Sequence, residues 1–263
     1  MSDLIEAASE HQETPSPATV PSPVDSYIPK CVVSIHAHPD DQEFSVAGTL
    51  AKWAGAGADI ISIVITNGDA GSNDPQYDET YKPILAKMRE GEQSAANQII
   101  GVKETVFLGY PDGTLAPSLE LRRELTRLIR KYKPDVVVSG DPSSRFFGNS
   151  YINHPDHRAA ADVACDAVFP SAGTRLIFTD LLHEGYEPHN VRYLYLHGSE
   201  KADVWVDIST TIDTKVAALR QHKSQLGEWD VNQAMREWAA SSGKEQGLAF
   251  AESFRRMVLI EEG

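Results

Sequence analysis

Three side chains able to grip a cation or move a proton stand together at His38, Asp40 and Asp41, in the run HPDD. Neighbouring carboxylates repel one another and prefer water, so two of them at the end of an oily stretch, CVVSIHA, call for a cation or a reaction. Pro39 disfavours the α region for His38 and fixes its own φ, which aims the imidazole and the carboxylates. The plainer alternative is a polar loop whose aspartates cap the next helix and favour its dipole. A second run, YINHPDHR, carries similar chemistry. Asn153 or His154 caps a helix whose first position is Pro155, and His154 and His157, three residues apart, project to one side. Here a polar cap is again the alternative.

Imidazole with carboxylate suits zinc, and a catalytic zinc keeps three protein ligands and an open position for water. His38, Asp41 and His157 make such a His2Asp set, with one Zn2+ expected per chain. The dication with a single carboxylate ligand remains positive, so Asp40 can stay ionised beside Asp41 and accept a proton from the activated water.

These clusters need a scaffold that brings them to one place. The runs CVVSIHA, DIISIVIT, TVFLGY and DVVVSG, near residues 31, 59, 105 and 135, are continuous and β-branched, as expected of parallel strands buried on both faces. Between them the pattern predicts helices over 43–54, over 80–100 ending at Gly101, and over 118–132 ending before Pro134. Ser118 is a partial start signal, because the residue three places on is Leu121 and not Glu. The expected fold is α/β: a Rossmann-like, doubly wound, mostly parallel sheet with helices on both faces, in a single domain. Ligands of such sheets bind beyond the carboxyl ends of the strands, and both His/Asp clusters fall there. VRYLYLH and DVWVDI, near 191 and 203, alternate more and are predicted to be added edge strands, followed by covering helices over 211–226, 230–240 and 245–256.

Residues 1–28, rich in Pro, Ser, Glu and Ala, read as a flexible N-terminal tail or an arm laid over the surface, leaving 29–263 as the domain. Lys+Arg 24 against Asp+Glu 38 gives a net charge of −14. That balance argues against nucleic acid or an anionic membrane surface as partner and favours a small or neutral substrate. No run approaches the roughly 18 apolar residues of a membrane span, so no stable membrane insertion is expected. Cys31 and Cys165 read as isolated reduced thiols, which with the absence of a signal-peptide pattern points to a cytoplasmic location.

AHPDDQE at 37–43, TNGDAGS at 66–72, MREGEQSAA at 88–96, FLGYPDG at 107–113 and HPDH at 154–157 resemble the zinc-dependent de-N-acetylases called PIG-L or LmbE-like, in matching order over about residues 31–256. The resemblance implies removal of acetyl from an N-acetylated amino sugar or its conjugate. It implies His38, Asp41 and His157 as zinc ligands, Asp40 as general base and later acid, His154, in its protonated form, as oxyanion stabiliser, and Asp156 as the residue orienting His154. Arg89 resembles the family's substrate-contacting arginine; the alternative is a solvated charge paired with Glu90 or Glu92. Asp112 and Asp69, in loops at the same edge, either meet sugar hydroxyls or form turns. The chain departs from the family at FSVAGTLA, where glycines often precede GTLA, which bears on helix packing and pocket shape. Two other functions fit the residues: a metal-dependent amidase acting on a larger conjugate, and a non-catalytic Rossmann-like module. The run HPDDQEF where a dinucleotide site has GxGxxG weighs against the latter. A homo-oligomer is compatible with the covering helices and the N-terminal arm. Of the remaining histidines, His36 is expected in the core on a backbone carbonyl and His222 could line the pocket, while His11, His183, His189 and His197 have no motif context.

Overall fold

The computed structural model describes residues 23–261. In chain order the first half runs β1 (Cys31–His36), α1 (Asp41–Ser45), α2 (Ala47–Gly55), β2 (Asp59–Thr66), α3 (Lys82–Ile100), β3 (Glu104–Tyr110), α4 (Leu119–Tyr132) and β4 (Val136–Gly140). A small hairpin, β5 (Phe146–Phe147) and β6 (Tyr151–Ile152), leads to α5 (Pro155–Asp166) and α6 (Asp180–His183). The second half adds β7 (Tyr193–His197), β8 (Val204–Asp207), α7 (Ile212–Leu219), α8 (Lys223–Leu226), α9 (Val231–Gly243) and β9 (Ala251–Val258).

Seven strands form one sheet in the order β3-β2-β1-β4-β7-β9-β8. The first five of these pair in parallel, and β9 runs antiparallel between β7 and β8. Because side chains alternate along a strand, β1 feeds two cores. Val33 and Ile35 pack with Leu121, Leu125 and Leu128 of α4 and Ala160 and Ala164 of α5. Val32 packs on the other face with Leu50 and Trp53 of α2, Ile100 of α3, Ala218 of α7 and Phe254. Burying each of these leucines contributes about 1.5–3 kcal/mol, which is why helices cover both faces. The sheet is therefore doubly wound, and strand order reverses between β1 and β4, the crevice where such sheets bind ligands. Among the described residues no helix is long and apolar enough to cross a membrane.

Several local expectations hold. Ser118 caps α4 with its hydroxyl accepting from Leu121 N at 3.1 Å, and α3 ends on Gly101 in the left-handed region. Others change. The stretch over 43–54 is two helices, broken at Val46 (φ −132°). A buried ion pair, Lys215 Nζ to Glu252 Oε1 at 2.6 Å, makes the break tolerable. Lys215 donates to Phe44 O at 3.0 Å, and the Glu252 carboxylate accepts from Gly48 N and Thr49 N at 3.0 and 2.7 Å, so the loose backbone ends are satisfied. The region 211–226 is likewise two helices. β7 is an interior strand and not an added edge, and 245–256 contains a 3-10 turn and most of β9 where a helix is expected.

The first 22 residues of the expected tail lie outside the described residues. Residues 23–28 run against the sheet. Trp205 N donates to Pro23 O and Asp25 N to Trp205 O, both at 2.7 Å, Val24 forms a parallel bridge to Trp205, and the hydroxyl of buried Tyr195 donates to Asp25 Oδ2.

Candidate metal centre

Strand β1 delivers His38 two residues beyond its end, and the backbone then takes an unusual turn. Asp40 sits at φ 99°, ψ −25°, a left-handed conformation costly for a side chain with a Cβ. Its neighbours hold it there. Asp40 N donates to Gln93 Oε1 at 2.9 Å, and Arg89 donates to Pro39 O at 2.7 Å and to Asp40 Oδ2 at 3.2 Å. Arg89 also donates to Gly68 O at 3.0 Å. The TNGDAGS loop has to be bare where the guanidinium lies: a Cβ on Gly68 would stand 2.6 Å from Arg89 Nη1 and one on Gly71 2.3 Å.

The second cluster is aimed by a helix start. His154 caps α5, its Nδ1 accepting from Asp156 N at 3.2 Å, with Pro155 in the first turn. His157 follows one turn in, at the crevice.

The two clusters meet. His157 Nε2 lies 3.0 Å from Asp41 Oδ1 and 3.1 Å from His38 Nδ1, and His38 Nδ1 lies 3.4 Å from Asp41 Oδ2. Ligand atoms about 2.0–2.1 Å from a tetrahedral zinc are about 3.3 Å apart, so two imidazole nitrogens and a carboxylate that offers one oxygen to each of them have the right spacing and the right donors. The outer ring nitrogens are engaged as well. His38 Nε2 faces Asp112 Oδ1 at 3.0 Å and Asp156 Oδ2 at 3.3 Å, and His157 Nδ1 faces Asn153 Oδ1 at 3.2 Å. Those partners assign the proton to the outer nitrogen and leave the inner one as a lone-pair donor, the usual arrangement of metal-binding histidines. Two further sets come within metal-holding distance, His38 with His154 and His157, and His38 with Asp112 and Asp156. The second is the weaker choice, because Asp156 already accepts from Gly113 N and Leu115 N at 2.7 and 3.1 Å.

Electrostatics point the same way. Burial lowers the His38 pKa, but the charge of Asp41 and hydrogen bonds that the imidazole donates to Asp112, Asp156 and Asp41 push it up to about 12. His157 is also raised against its burial, by Asp41. Asp41 is held well below the usual carboxylate range by His157 and His38 despite its burial. So many carboxylates around two imidazoles make a pocket that stabilises positive charge. Asp40 behaves differently: burial raises it and Arg89 only partly offsets this, leaving it at about 7.

Some expected roles move. The Asp156 carboxylate reaches His38, while Asp156 meets His154 through its backbone N–H. His154 has its pKa lowered by burial and by His38 and His157, and its Nδ1 accepts from Asp156 N, an arrangement that suits an Nε2–H donor. Arg89 is 3% exposed and braces Asp40, unlike a solvated charge paired with Glu90 or Glu92. Asp112 N donates to Asp69 Oδ1 at 3.0 Å, and the Asp112 carboxylate accepts from Ala70 N at 3.3 Å and lies 3.7 Å from Arg89 Nη1. His36 bonds to the Ser34 hydroxyl at 2.9 Å, not to a carbonyl. His222 is fully buried, with Nε2 3.2 Å from Glu43 Oε2.

Sequence reasoning missed a polar wall behind Asp40. Gln93 Nε2 donates to Glu43 Oε1 at 3.0 Å and to Asn97 Oδ1 at 3.2 Å, and Gln42 Nε2 donates to Asn97 Oδ1 at 2.8 Å. The signal was present: Arg89, Gln93 and Asn97 recur every four residues on α3, one helical stripe. His197, passed over as featureless, stacks on His36 with ring centroids 5.2 Å apart. Both border a cavity of about 860 Å³ that reaches Asp41 and His157 between the ends of β1, β4 and β7.

A family model described as PIG-L, GlcNAc-PI de-N-acetylase, matches residues 33–168. The chain is 31% identical over 229 residues to a diacetylchitobiose deacetylase of Thermococcus kodakarensis, covering 86% of this chain and 82% of that one. It is 30% identical over 238 residues to a 1D-myo-inositol 2-acetamido-2-deoxy-alpha-D-glucopyranoside deacetylase of Mycobacteroides abscessus, covering 76% and 83%. The solved N,N'-diacetylchitobiose deacetylase of Pyrococcus horikoshii, bound to an inhibitor, superposes with a TM-score of 0.79 at 30% identity, over 88% of this chain and 84% of that one.

Proposed function

The chain belongs to the PIG-L family of de-N-acetylases, hydrolases acting on amide bonds, and from that premise we propose that it removes the N-acetyl group from an N-acetylated amino sugar or its conjugate, using one zinc ion held by His38, Asp41 and His157. The observation that carries this reading is the convergence of His38 Nδ1 and His157 Nε2, 3.1 Å apart, on the two oxygens of the Asp41 carboxylate at 3.4 and 3.0 Å, with a high-pKa carboxylate next in sequence. When bound, zinc supplies Lewis-acid polarisation of the amide carbonyl and lowers the pKa of water.

The chain's own residues do the rest. Asp40, half-buried and poised at about 7, takes the proton from the attacking water and returns it to the leaving nitrogen, a task that favours a group with a pKa near the working pH. Arg89 fixes one carboxylate oxygen and keeps the other turned to the reaction. His154, with Nδ1 occupied by Asp156 N, offers Nε2–H to the oxygen on which charge develops. Asp112 and Asp156 hold the His38 ring in the tautomer its ligand role needs. The ring hydroxyls of the sugar face the polar flank, where Asp112 and Arg89 present their small exposed edges.

The test is release of acetate from N-acetylglucosamine conjugates by protein of known metal content, before and after chelation. Activity should vanish with the metal and return with zinc. Turnover at the original rate by metal-free protein would overturn the reading.

A further inference from the structure

We propose that the acyl group this enzyme removes extends beyond acetyl, and that the cavity beside Asp41 and His157 receives a medium-length apolar or aryl acyl chain on the amino sugar. The inference rests on the deacetylase reading above and narrows its substrate class.

Size is the first observation. At about 860 Å³ the cavity has the volume of sites that bury a drug-sized ligand, whereas an acetyl methyl would leave it nearly empty. Chemistry is the second. Its exposed atoms are predominantly apolar, and Phe44, Phe147, Tyr151 and Trp238 line it. These walls come from separate elements. Phe44 belongs to α1 and stacks on Trp229 with centroids 6.1 Å apart. Phe147 and Tyr151, 5.9 Å apart, come from the β5–β6 hairpin, and Trp238 from α9.

Direction is the third observation and decides which part of the substrate enters. The cavity touches the ligand residues Asp41 and His157, but Asp40, Arg89, Asp112 and His154 are not among its lining residues. Strand order explains the division. β2 and β3 lie on one side of β1 and carry the loops of Asp69 and Asp112, while β4 and β7 lie on the other and bound the cavity. In a planar amide the nitrogen substituent and the acyl carbon leave from opposite ends of the C–N bond. With the sugar hydroxyls on the polar flank, the acyl chain runs into the apolar one. The reaction balances without any further reagent: water oxygen bonds to the acyl carbon, the C–N bond breaks, the amine takes the proton from Asp40, and a carboxylate leaves.

The experiment compares N-acetyl-, N-butanoyl- and N-hexanoyl-glucosamine as methyl glycosides, and N-acetylglucosamine as its methyl, butyl and hexyl glycosides, on zinc-loaded enzyme. A buried methylene is worth up to about fourfold in affinity, so kcat/KM for the hexanoyl amide should exceed that for acetyl at least tenfold. Trp238→Ala should lower that ratio at least fivefold. A readout independent of turnover is the indole emission of zinc-loaded Asp40→Asn, corrected by subtracting the same protein carrying Trp238→Phe; the hexanoyl amide should quench it at concentrations where the acetyl amide does not. Turnover of acetyl with slower hexanoyl and no quenching overturns this proposal and leaves the deacetylase reading standing. A gain that follows the length of the glycoside's alkyl group, and not of the acyl group, assigns the cavity to the aglycone and also overturns it. If neither amide is hydrolysed by zinc-loaded protein, both readings fall together.

Discussion

The two flanks of the candidate metal centre are built on different rules. Toward α3, Glu43, Gln93, Asn97 and His222 are 0–2% exposed and bonded to one another in a buried network that ends on the backbone of Asp40. Toward β4 and β7, Phe147, Tyr151 and Trp238 border an open cavity, Tyr151 at 51% and Trp238 at 57% exposure. A buried polar network is costly to disturb, because each group a substitution orphans keeps its full desolvation cost. An apolar wall only has to be the right shape. One flank therefore fixes where the base stands, and the other decides what fits beside it.

The sharpest way to break that contrast is at its hinge. Asp40→Asn keeps the left-handed backbone accessible and should retain zinc while kcat falls about 1,000-fold, within the range for losing a general base; His157→Ala should instead lose zinc, measured by metal analysis. Second in size is acid sensitivity on the cavity floor. Burial lowers the His36 pKa to about 4 and pushes His197 well below its usual value. Between that value and an unfolded pKa of about 6.5 the unfolded chain binds more protons. The stability these neutral rings allow is therefore complete above pH 6.5 and is lost as pH falls toward 4, by about 3 kcal/mol for His36 alone. Denaturant titrations of His36→Asn should show a shallower decline over that window than the parent protein.

Third, Gln93→Met removes the acceptor for Asp40 N–H and should reduce kcat about 10–100-fold, as loss of an outer-shell contact does, with KM within about twofold; an equal change in KM would show that the wall binds substrate. The smallest effect belongs to the open side. Tyr151→Ala should change unfolding free energy by no more than about 0.5 kcal/mol, as for other exposed positions, and a larger loss would mean that the hairpin is part of the frame.

Legibility in the sequence follows the same division. The parallel strands declared themselves because β1, β2 and β4 are β-branched and buried on both faces, and the His/Asp clusters of the candidate metal centre because proline fixes the backbone beside them. β7 misled because YLYLH alternates Tyr with Leu, and tyrosine buries most of its ring while looking polar; Tyr193 and Tyr195 are both buried. β9 misled because Phe250, Phe254 and Val258 recur every four residues, a helical spacing that a strand between two partners can also carry. The wall behind Asp40 was hidden by composition. Gln, Asn and Glu on a helix normally face water, so the stripe of Arg89, Gln93 and Asn97 reads as solvated until their long-range partners, such as His222 against Glu43, 179 residues apart, show it buried.

The strip from Pro23 to Ile28 has a consequence for the far rim of the sheet. β8 is a terminal strand, and a terminal strand with free amides is a template on which other chains can add. Here the protein seals its own rim by seating Pro23 and Asp25 on Trp205, with the Asp25 side chain anchored on Tyr195. Trimming the chain at residue 29, where composition alone would place the cut, would unseal it and leave the amides of β8 open to strand-mediated self-association.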